Sequence, residues 1–170
     1  MERHHFKYLA ISLLVLLTPC FAAAQTTDAD SQPAYEPVTK YDPKRNAAFD
    51  VETAIKEAQR ADKRILLEVG GDWCEWCKTL DKFFEDNSEL ANLRDQFFVT
   101  VKINFSEENP NKQLLDRYGK ISAYPHLFVL DSEGKLLQSQ GTGVLESGKS
   151  YDLEKLTAFL KKWAPPRKDM

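Results

Sequence analysis

The feature that most restricts the fold of this chain is a pair of cysteines, Cys74 and Cys77, separated by two residues. They follow a short, mostly apolar run over residues 65–69, and Gly70 and Gly71 end that run. Such a run closed by glycines predicts a buried strand, and the apolar residues at helical spacing after Cys74 predict a helix. Both cysteines would therefore lie where a strand passes into a helix.

The N-terminus has the pattern of an export signal. Basic residues that include Arg3 and Lys7 precede an almost wholly apolar run over residues 9–17, and three alanines stand before Gln25. The apolar run is shorter than the ~20 residues that span a bilayer, and small residues are typical of a signal peptidase site. We therefore expect residues 1–24 to be removed and the protein to be periplasmic.

Two alternatives to a cleaved signal stay open. A buried N-terminal helix would leave the basic residues and the alanines unexplained. A lipid anchor on Cys20 would need residues 17–19 to complete a lipoprotein cleavage box, and Pro19 stands where such a box has a small, flexible residue. Export and release into the periplasm is therefore the preferred interpretation.

Three kinds of site could use two cysteines at this spacing. A structural disulfide would close a very small loop, which constrains the unfolded chain less than a long-range bridge does. A zinc site needs four ligands, or three and a water, and His126 is the only histidine outside the predicted leader. A redox pair uses the short spacing directly, because one sulfur attacks and the other resolves the mixed disulfide. We therefore expect redox chemistry without a metal or cofactor, and a metal held between two chains is the weaker alternative.

Charge and length limit the possible partners and the number of domains. The formal net charge of −3 argues against nucleic acid or an anionic membrane as a partner. The length predicts one domain with an adequate core. Residues 25–47 are polar and contain three prolines, which predicts an arm or linker. The domain is expected over residues 48–164, with a charged tail at 165–170, and the protein is expected to be a monomer.

Apolar periodicity, glycines and prolines predict the order of the elements. In chain order these are a helix capped by Asp50, the strand at 65–69, a helix from Cys74 to about Asp86, a short helix near Ser88, a strand at 97–105, a helix from Asn109 and Pro110 to Gly119, a strand at 126–130, a turn at 131–134, a strand at 135–140 and a helix capped by Asp152. Elements that alternate and then close with an antiparallel hairpin predict an α/β fold, with a mixed sheet of about four strands flanked by helices.

Several separated stretches resemble the thioredoxin family in the same order. These are residues 65–69 with the motif Trp73-Cys74-Glu75-Trp76-Cys77-Lys78, residues 101–105 with Asn109-Pro110, residues 118–125, and the closing hairpin and helix. The resemblance covers residues 50–163, and the combination of W-C-x-x-C with a downstream aromatic residue and proline is specific. It implies a thioredoxin-like fold, most similar to secreted members in which a helix replaces the first strand. The central dipeptide differs from the Gly-Pro of thioredoxin.

The resemblance and helix electrostatics together assign roles to the two cysteines and two charged residues. Cys74 would lie at a helix N-terminus, where free N–H groups and the helix dipole stabilise a thiolate, so it is the expected nucleophile. Cys77, one turn further, is expected to be more buried and to resolve the mixed disulfide. The family keeps a buried carboxylate at the position of Glu68, which would act as general base for Cys77, and a lysine near it at the position of Lys102. The alternatives are a glutamate and a lysine that face solvent.

The resemblance also implies a substrate-binding cleft. Pro125 matches the family's cis-proline, which packs against the cysteine pair, whereas sequence alone would predict a trans bond. Tyr124, Trp73 and Trp76 would form an apolar rim for an extended polypeptide. Trp76 is expected to be the more exposed tryptophan, and packing alone is an equal alternative for Trp73.

His126 follows Pro125 directly and has two open interpretations. Near the sulfur atoms, its protonated ring would stabilise a thiolate and make the pair more oxidising. Otherwise it is the first residue of a strand, with a satisfied ring. Glu75 would act in the opposite sense, because its charge disfavours a second negative charge on Cys74.

The expected function is that of a periplasmic thiol–disulfide oxidoreductase for protein substrates, acting as a reductase or isomerase. A dithiol oxidase of the same fold is the alternative within that class. A reductase in an oxidising compartment would need an electron donor, which implies a membrane-bound redox partner. A protein that only binds clients in the same cleft, without redox activity, is the alternative from another class.

Overall fold

The computed structural model describes residues 35–166. The predicted leader at residues 1–24, the alternative anchor at Cys20 and most of the predicted tail lie outside the described residues. The elements are α1 (Ala47–Ala61), β1 (Arg64–Gly70), α2 (Glu75–Asp86), α3 (Ser88–Phe97), β2 (Phe98–Asn104), α4 (Lys112–Leu115), β3 (His126–Leu130), β4 (Leu136–Gly141), a 3-10 turn (Thr142–Leu145), β5 (Glu146–Ser147), β6 (Ser150–Tyr151) and α5 (Leu153–Lys162). No helix in this part of the chain is long and apolar enough to cross a membrane.

A mixed sheet of four strands in the order β2-β1-β3-β4 forms the centre of the domain. β1 and β2 are parallel, whereas β3 runs antiparallel to both of its neighbours, β1 and β4. This arrangement confirms the predicted α/β fold and its closing hairpin. The register pairs Glu68 with Lys102 on β2 and with Leu127 on β3, so Glu68 lies in the middle of the sheet.

Side chains that alternate along β1 separate the core into two layers. Ile65, Leu67 and Val69 pack with residues of α1 and α4, whereas Leu66 packs with α2, α3 and α5 on the other face. Full burial of each such aliphatic side chain contributes about 1.5–3 kcal/mol to the free energy of folding. A shift of one residue would exchange the two faces of the strand, so this burial fixes its register. Glu68 shares the face of Leu66 and therefore points toward α2.

The first helix begins earlier than predicted, so the assignment of Asp50 as its cap is wrong. Asn46 caps α1, and its side chain accepts a hydrogen bond from the backbone N–H of Phe49. Asp50 lies in the first turn, buried, and forms an ion pair with Arg45 at 2.6 Å. Both residue types suit a helix start, because an acid in the first turn also interacts favourably with the helix dipole.

The fourth helix is shorter than the predicted one, which was expected to run from Asn109 and Pro110 to Gly119. Asn111 precedes it with a left-handed φ of 46°, and its side chain donates to the carbonyl of Asn104 at 2.7 Å. Asparagine side chains of this kind compete with helix formation by binding nearby backbone groups. The sequence also did not predict the short β5–β6 hairpin, which turns at Gly148 with a φ of 61°.

Residues 35–46, which we call the N-terminal segment, pack against the domain. Val38 forms a parallel bridge with Val101, and its carbonyl accepts the backbone N–H of Lys102 at 3.0 Å. Val38 and Tyr41 are both buried. These contacts show that residues 35–46 are an ordered part of the domain, whereas the sequence predicted an arm or linker over residues 25–47.

Candidate active site

The cysteine pair lies at the junction of β1 and α2, as the sequence predicts. Cys74 is the N-cap of α2, and its sulfur accepts a hydrogen bond from the backbone N–H of Cys77 at 3.1 Å. The two sulfur atoms form a disulfide. A sulfur at this position meets the unpaired N–H groups and the positive end of the helix dipole, so a negative charge on Cys74 is stabilised in the reduced protein.

The two cysteines differ slightly in accessibility. Cys74 is 4% exposed and Cys77 is 0% exposed, the order that the sequence predicts for a nucleophile and a resolving thiol. Gly70 permits this packing, because a Cβ at that position would lie 2.4 Å from the sulfur of Cys77. The end of β1 therefore needs a residue without a side chain.

A buried charged group lies behind Cys77 and contains two of the predicted residues, Glu68 and Lys102. Glu68 is 2% exposed, and Lys102 Nζ lies 3.7 Å from its Oε1 atom. Lys102 Nζ also donates a hydrogen bond to Asp81 on α2. Burial raises the pKa of the Glu68 carboxyl above its usual range, although the Lys102 charge opposes the rise. The solvent-facing alternatives for both residues do not apply.

Tyr41 completes this group, although sequence reasoning missed it. Its hydroxyl donates to Glu68 Oε1 at 2.6 Å, and Lys102 Nζ lies 4.6 Å from the centre of its ring. Burial raises the pKa of the Tyr41 phenol above its usual range, so the hydroxyl keeps its proton and acts as a donor. Asp81 was also missed, although its position four residues after Cys77 places it on the same face of a helix.

Three aromatic residues form a rim beside the cysteines. Trp73 is 54% exposed and packs edge-on against Tyr124, with ring centroids 5.3 Å apart. Phe105, which the sequence analysis did not single out, stacks on Tyr124 at 4.9 Å, and its carbonyl accepts the indole N–H of Trp73 at 2.7 Å. This rim provides an aromatic surface of the kind that an unfolded segment can contact.

The prediction that Trp76 is the more exposed tryptophan is wrong. Trp76 is half-buried, because its ring packs edge-on against Tyr151 at 5.7 Å. Tyr151 belongs to the β5–β6 hairpin, which the sequence did not predict, so its contact with α2 could not be anticipated. Trp73 precedes the helix and is the tryptophan that a partner can reach.

A set of hydrogen bonds joins the Pro125 loop to the first turn of α2. The Tyr124–Pro125 peptide bond is cis, and the carbonyl of Pro125 accepts the hydroxyl of Thr142 at 3.1 Å. The hydroxyl of Tyr151 lies within hydrogen-bond distance of both Thr142 Oγ1 (3.4 Å) and the carbonyl of Trp76 (3.3 Å). Segments that are distant in sequence are thereby linked to the turn of α2 that carries the cysteine pair.

We expect Tyr151→Phe to lower the free energy of unfolding by about 1 kcal/mol, the usual value of one hydrogen bond. Urea denaturation followed by circular dichroism measures the change. Tyr118→Phe is the matched control, because Tyr118 is a buried tyrosine that packs on Phe128 in the other core layer. Equal denaturation midpoints for Tyr151→Phe and the wild type would contradict a stabilising role for this hydroxyl.

His126 points away from the cysteines, on the α1 face of the sheet. It pairs with Val69, and its ring packs on Phe128 with centroids 4.6 Å apart, both members of the α1 layer. His126 Nε2 lies 2.8 Å from Ser139 Oγ, and burial lowers the pKa of the ring. The geometry matches the first residue of a strand and does not bring His126 together with Cys74 and Cys77. The ring is only half satisfied, because Nδ1 has no hydrogen-bond partner among the described residues.

Comparisons with known proteins agree with this geometry. The family model described as thioredoxin-like matches residues 45–132. A disulfide bond reductase, DsbH of Chlamydia pneumoniae, is 24% identical over 77% of this chain and 82% of its own length. A thiol:disulfide interchange protein, DsbD of Actinobacillus pleuropneumoniae, is 28% identical over 50% of this chain, and the match spans 15% of that protein.

A solved structure is similar over most of the described domain. The crystal structure of a disulphide isomerase from Xylella fastidiosa has 27% sequence identity and a TM-score of 0.62, and the match covers 75% of this chain and 98% of that one. The two chains therefore share the same overall fold.

Proposed function

Because the chain belongs to the thioredoxin-like family and its relatives exchange thiols and disulfides, we propose that it reduces or isomerises disulfides in proteins of the periplasm. The observation that carries the proposal is the placement of Cys74 at the start of α2 with Cys77 and the buried Glu68 behind it. A nucleophile, a resolving thiol and a proton acceptor then occupy one site. The names of the relatives, a disulfide bond reductase and a disulphide isomerase, support this direction of the reaction.

The reaction takes two steps in the reduced protein. The thiolate of Cys74 attacks one sulfur of the substrate disulfide, so that a mixed disulfide forms and one substrate thiolate leaves. Cys77 then loses its proton and attacks Cys74, which forms the internal disulfide and releases the second substrate thiol. The substrate gains two electrons and the cysteine pair loses two.

Glu68 is proposed as the acceptor of the Cys77 proton. Burial favours the neutral form of Glu68, whereas the positive charge of Lys102 favours the ionised form. A carboxyl group balanced in this way suits a general base. Trp73 and Tyr124 are proposed to hold an apolar part of the substrate, and Pro125 to border the backbone of its extended segment.

A reducing direction makes a prediction for the redox potential of the pair. Among the described residues, the lysines near the site pair with carboxylates: Lys102 with Glu68 and Asp81, and Lys78 with Glu75 at 2.7 Å. We therefore expect a potential near that of thioredoxin, about −270 mV. Equilibration of the chain from Gln25 onward in graded glutathione buffers measures it. A value near −120 mV would instead favour the dithiol oxidase.

Activity in an oxidising compartment requires a supply of electrons. We propose that a membrane-bound partner reduces the oxidised pair, because the oxidising periplasm has no soluble thiol pool that would keep the cysteines reduced. Alkylation of free thiols in periplasmic extracts tests this, with a reduced Cys74–Cys77 pair as the expected result. A pair that is fully oxidised in the cell would contradict the reductase assignment.

A further inference from the structure

The N-terminal segment is attached to the domain at several points on either side of Tyr41. Val38 binds β2 through backbone hydrogen bonding, and the side-chain amide of Asn109 donates to the carbonyl of Pro43 at 2.8 Å. Arg45 pairs with Asp50 on α1. These contacts hold a stretch of chain that precedes the thioredoxin-like elements, and they insert one aromatic residue into the site.

Tyr41 occupies a position between the carboxylate and the resolving cysteine. Its ring packs in one cluster with Cys74 and Cys77, and its hydroxyl donates to Glu68 Oε1. A Cβ built on Gly70 would lie 2.9 Å from the Tyr41 hydroxyl and 2.4 Å from the Cys77 sulfur, so both atoms border the same point. The hydrogen-bond and ion-pair partners of Glu68 among the described residues both approach Oε1.

We propose that Tyr41 is a positioning residue of the redox site, whose hydroxyl fixes the orientation of Glu68 and stabilises the ionised carboxylate that accepts the proton of Cys77. The proposal rests on the proposed function for its role in exchange. It also extends the site to Tyr41 of the N-terminal segment, which precedes the family match at residues 45–132.

Tyr41 stabilises the ionised form of Glu68 because its hydroxyl acts as the donor and the carboxylate as the acceptor. A phenol that keeps its proton can donate to a carboxylate, and donation to the charged form favours that form. The other charged or titratable groups that act on Glu68 are Lys102 on β2, Asp81 on α2, Arg94 on α3 and, more weakly, Tyr151 on β6. Lys102 divides its charge between Glu68 and Asp81, so the tyrosine is the neutral donor committed to Glu68 alone.

Titration of the Glu68 carboxyl tests the proposal without any measurement of activity. Carbon NMR of oxidised protein with labelled glutamate follows this carboxyl, and Glu68→Gln identifies its signal. We expect Tyr41→Phe to raise the pKa of Glu68 by at least about one unit, because a hydrogen bond to a charged group is lost. Tyr118→Phe, in the other core layer, must leave the titration unchanged. An unchanged titration in Tyr41→Phe would overturn the proposal, whether or not the protein proves to be an oxidoreductase.

A second variant and a double substitution separate positioning from packing. A fluorinated tyrosine incorporated at position 41 keeps the ring and donates more strongly, so it must lower the pKa of Glu68 and serves if Tyr41→Phe does not fold. In disulfide exchange, Tyr41→Phe is expected to shift the pH–rate profile toward higher pH in the wild-type background. It should have no such effect in the Glu68→Gln background. Equal pH shifts in both backgrounds would show that Tyr41 acts only through packing.

Discussion

Cys74→Ser is expected to lower the rate of insulin reduction by dithiothreitol to that of the reaction without protein. A serine hydroxyl does not ionise at neutral pH and cannot form a mixed disulfide, so the first bond of the reaction is never made. The precipitation of reduced insulin measures the rate. Equal low activity of the wild type and this variant would favour the alternative of a redox-inactive binding protein.

Cys77→Ser is the matched control, because it removes the other sulfur and leaves the nucleophile in place. We expect this variant to attack the substrate once and to stop at the mixed disulfide. Electrophoresis without reductant should show a covalent complex that dithiothreitol cleaves, and Cys74→Ser should show none. The same complex with Cys74→Ser in place of Cys77→Ser would reverse the roles of the two cysteines.

Local patterns were sufficient to predict the sheet and the position of the cysteine pair. The apolar run before the two glycines is β1, and the amphipathic helix after Cys74 is α2, because burial of one face decides both elements. Burial of the apolar residues also sets the parallel register of β1 and β2, and this register pairs Glu68 directly with Lys102. The resemblance to the thioredoxin family supplied the roles that spacing alone leaves open.

Contacts between distant segments account for the parts that the sequence did not predict. Tyr41 lies 27 residues before Glu68 in a polar stretch without apolar periodicity, so no local signal places it in the site. Trp76 is half-buried because the unpredicted β5–β6 hairpin brings Tyr151 against it. The exposure of a side chain on a helix depends on what packs there, and this is not encoded in the helix itself.

The orientation of His126 depends on strand alternation and not on its distance from Pro125 in sequence. Successive side chains of a strand point to opposite faces, so a shift of one residue would have sent this ring toward Glu68. Leu127 and Val129 are buried against α2 and α5, and this decides which residues of β3 face each side of the sheet. His126 therefore lies on the α1 face with Phe128. Apolar residues thus decide where the histidine lies.

Glu68→Gln is expected to stabilise the protein at neutral and alkaline pH. Because the native carboxyl has a raised pKa, the native state binds this proton more tightly than the unfolded chain does. The resulting stability is present below the pKa of the unfolded carboxyl and is lost as the pH rises through the native pKa. Glutamine removes the charge and keeps an oxygen that can accept the Tyr41 hydroxyl. We expect a gain of about 1–3 kcal/mol in the free energy of unfolding, which urea denaturation measures at several pH values.

The pH dependence of that gain distinguishes it from a general packing effect. The difference between Glu68→Gln and the wild type should vanish at acid pH, where both side chains are neutral, and should grow toward alkaline pH. Asp81→Asn is the matched control, because Asp81 binds the same Lys102 but is partly exposed, and it should give no gain. A difference that does not change with pH would contradict a buried carboxylate whose ionisation opposes folding.

The same substitution should slow disulfide exchange, so stability and activity are expected to change in opposite directions. Without a general base, Cys77 must lose its proton to water, and we expect a rate about a hundredfold lower at neutral pH. Alkaline buffer should restore much of the rate, because it removes the proton from Cys77 without help. A buried carboxylate that weakens the fold is retained if it accelerates exchange, as strained groups at active sites are. A stabilised Glu68→Gln variant with wild-type activity at neutral pH would remove Glu68 from the mechanism.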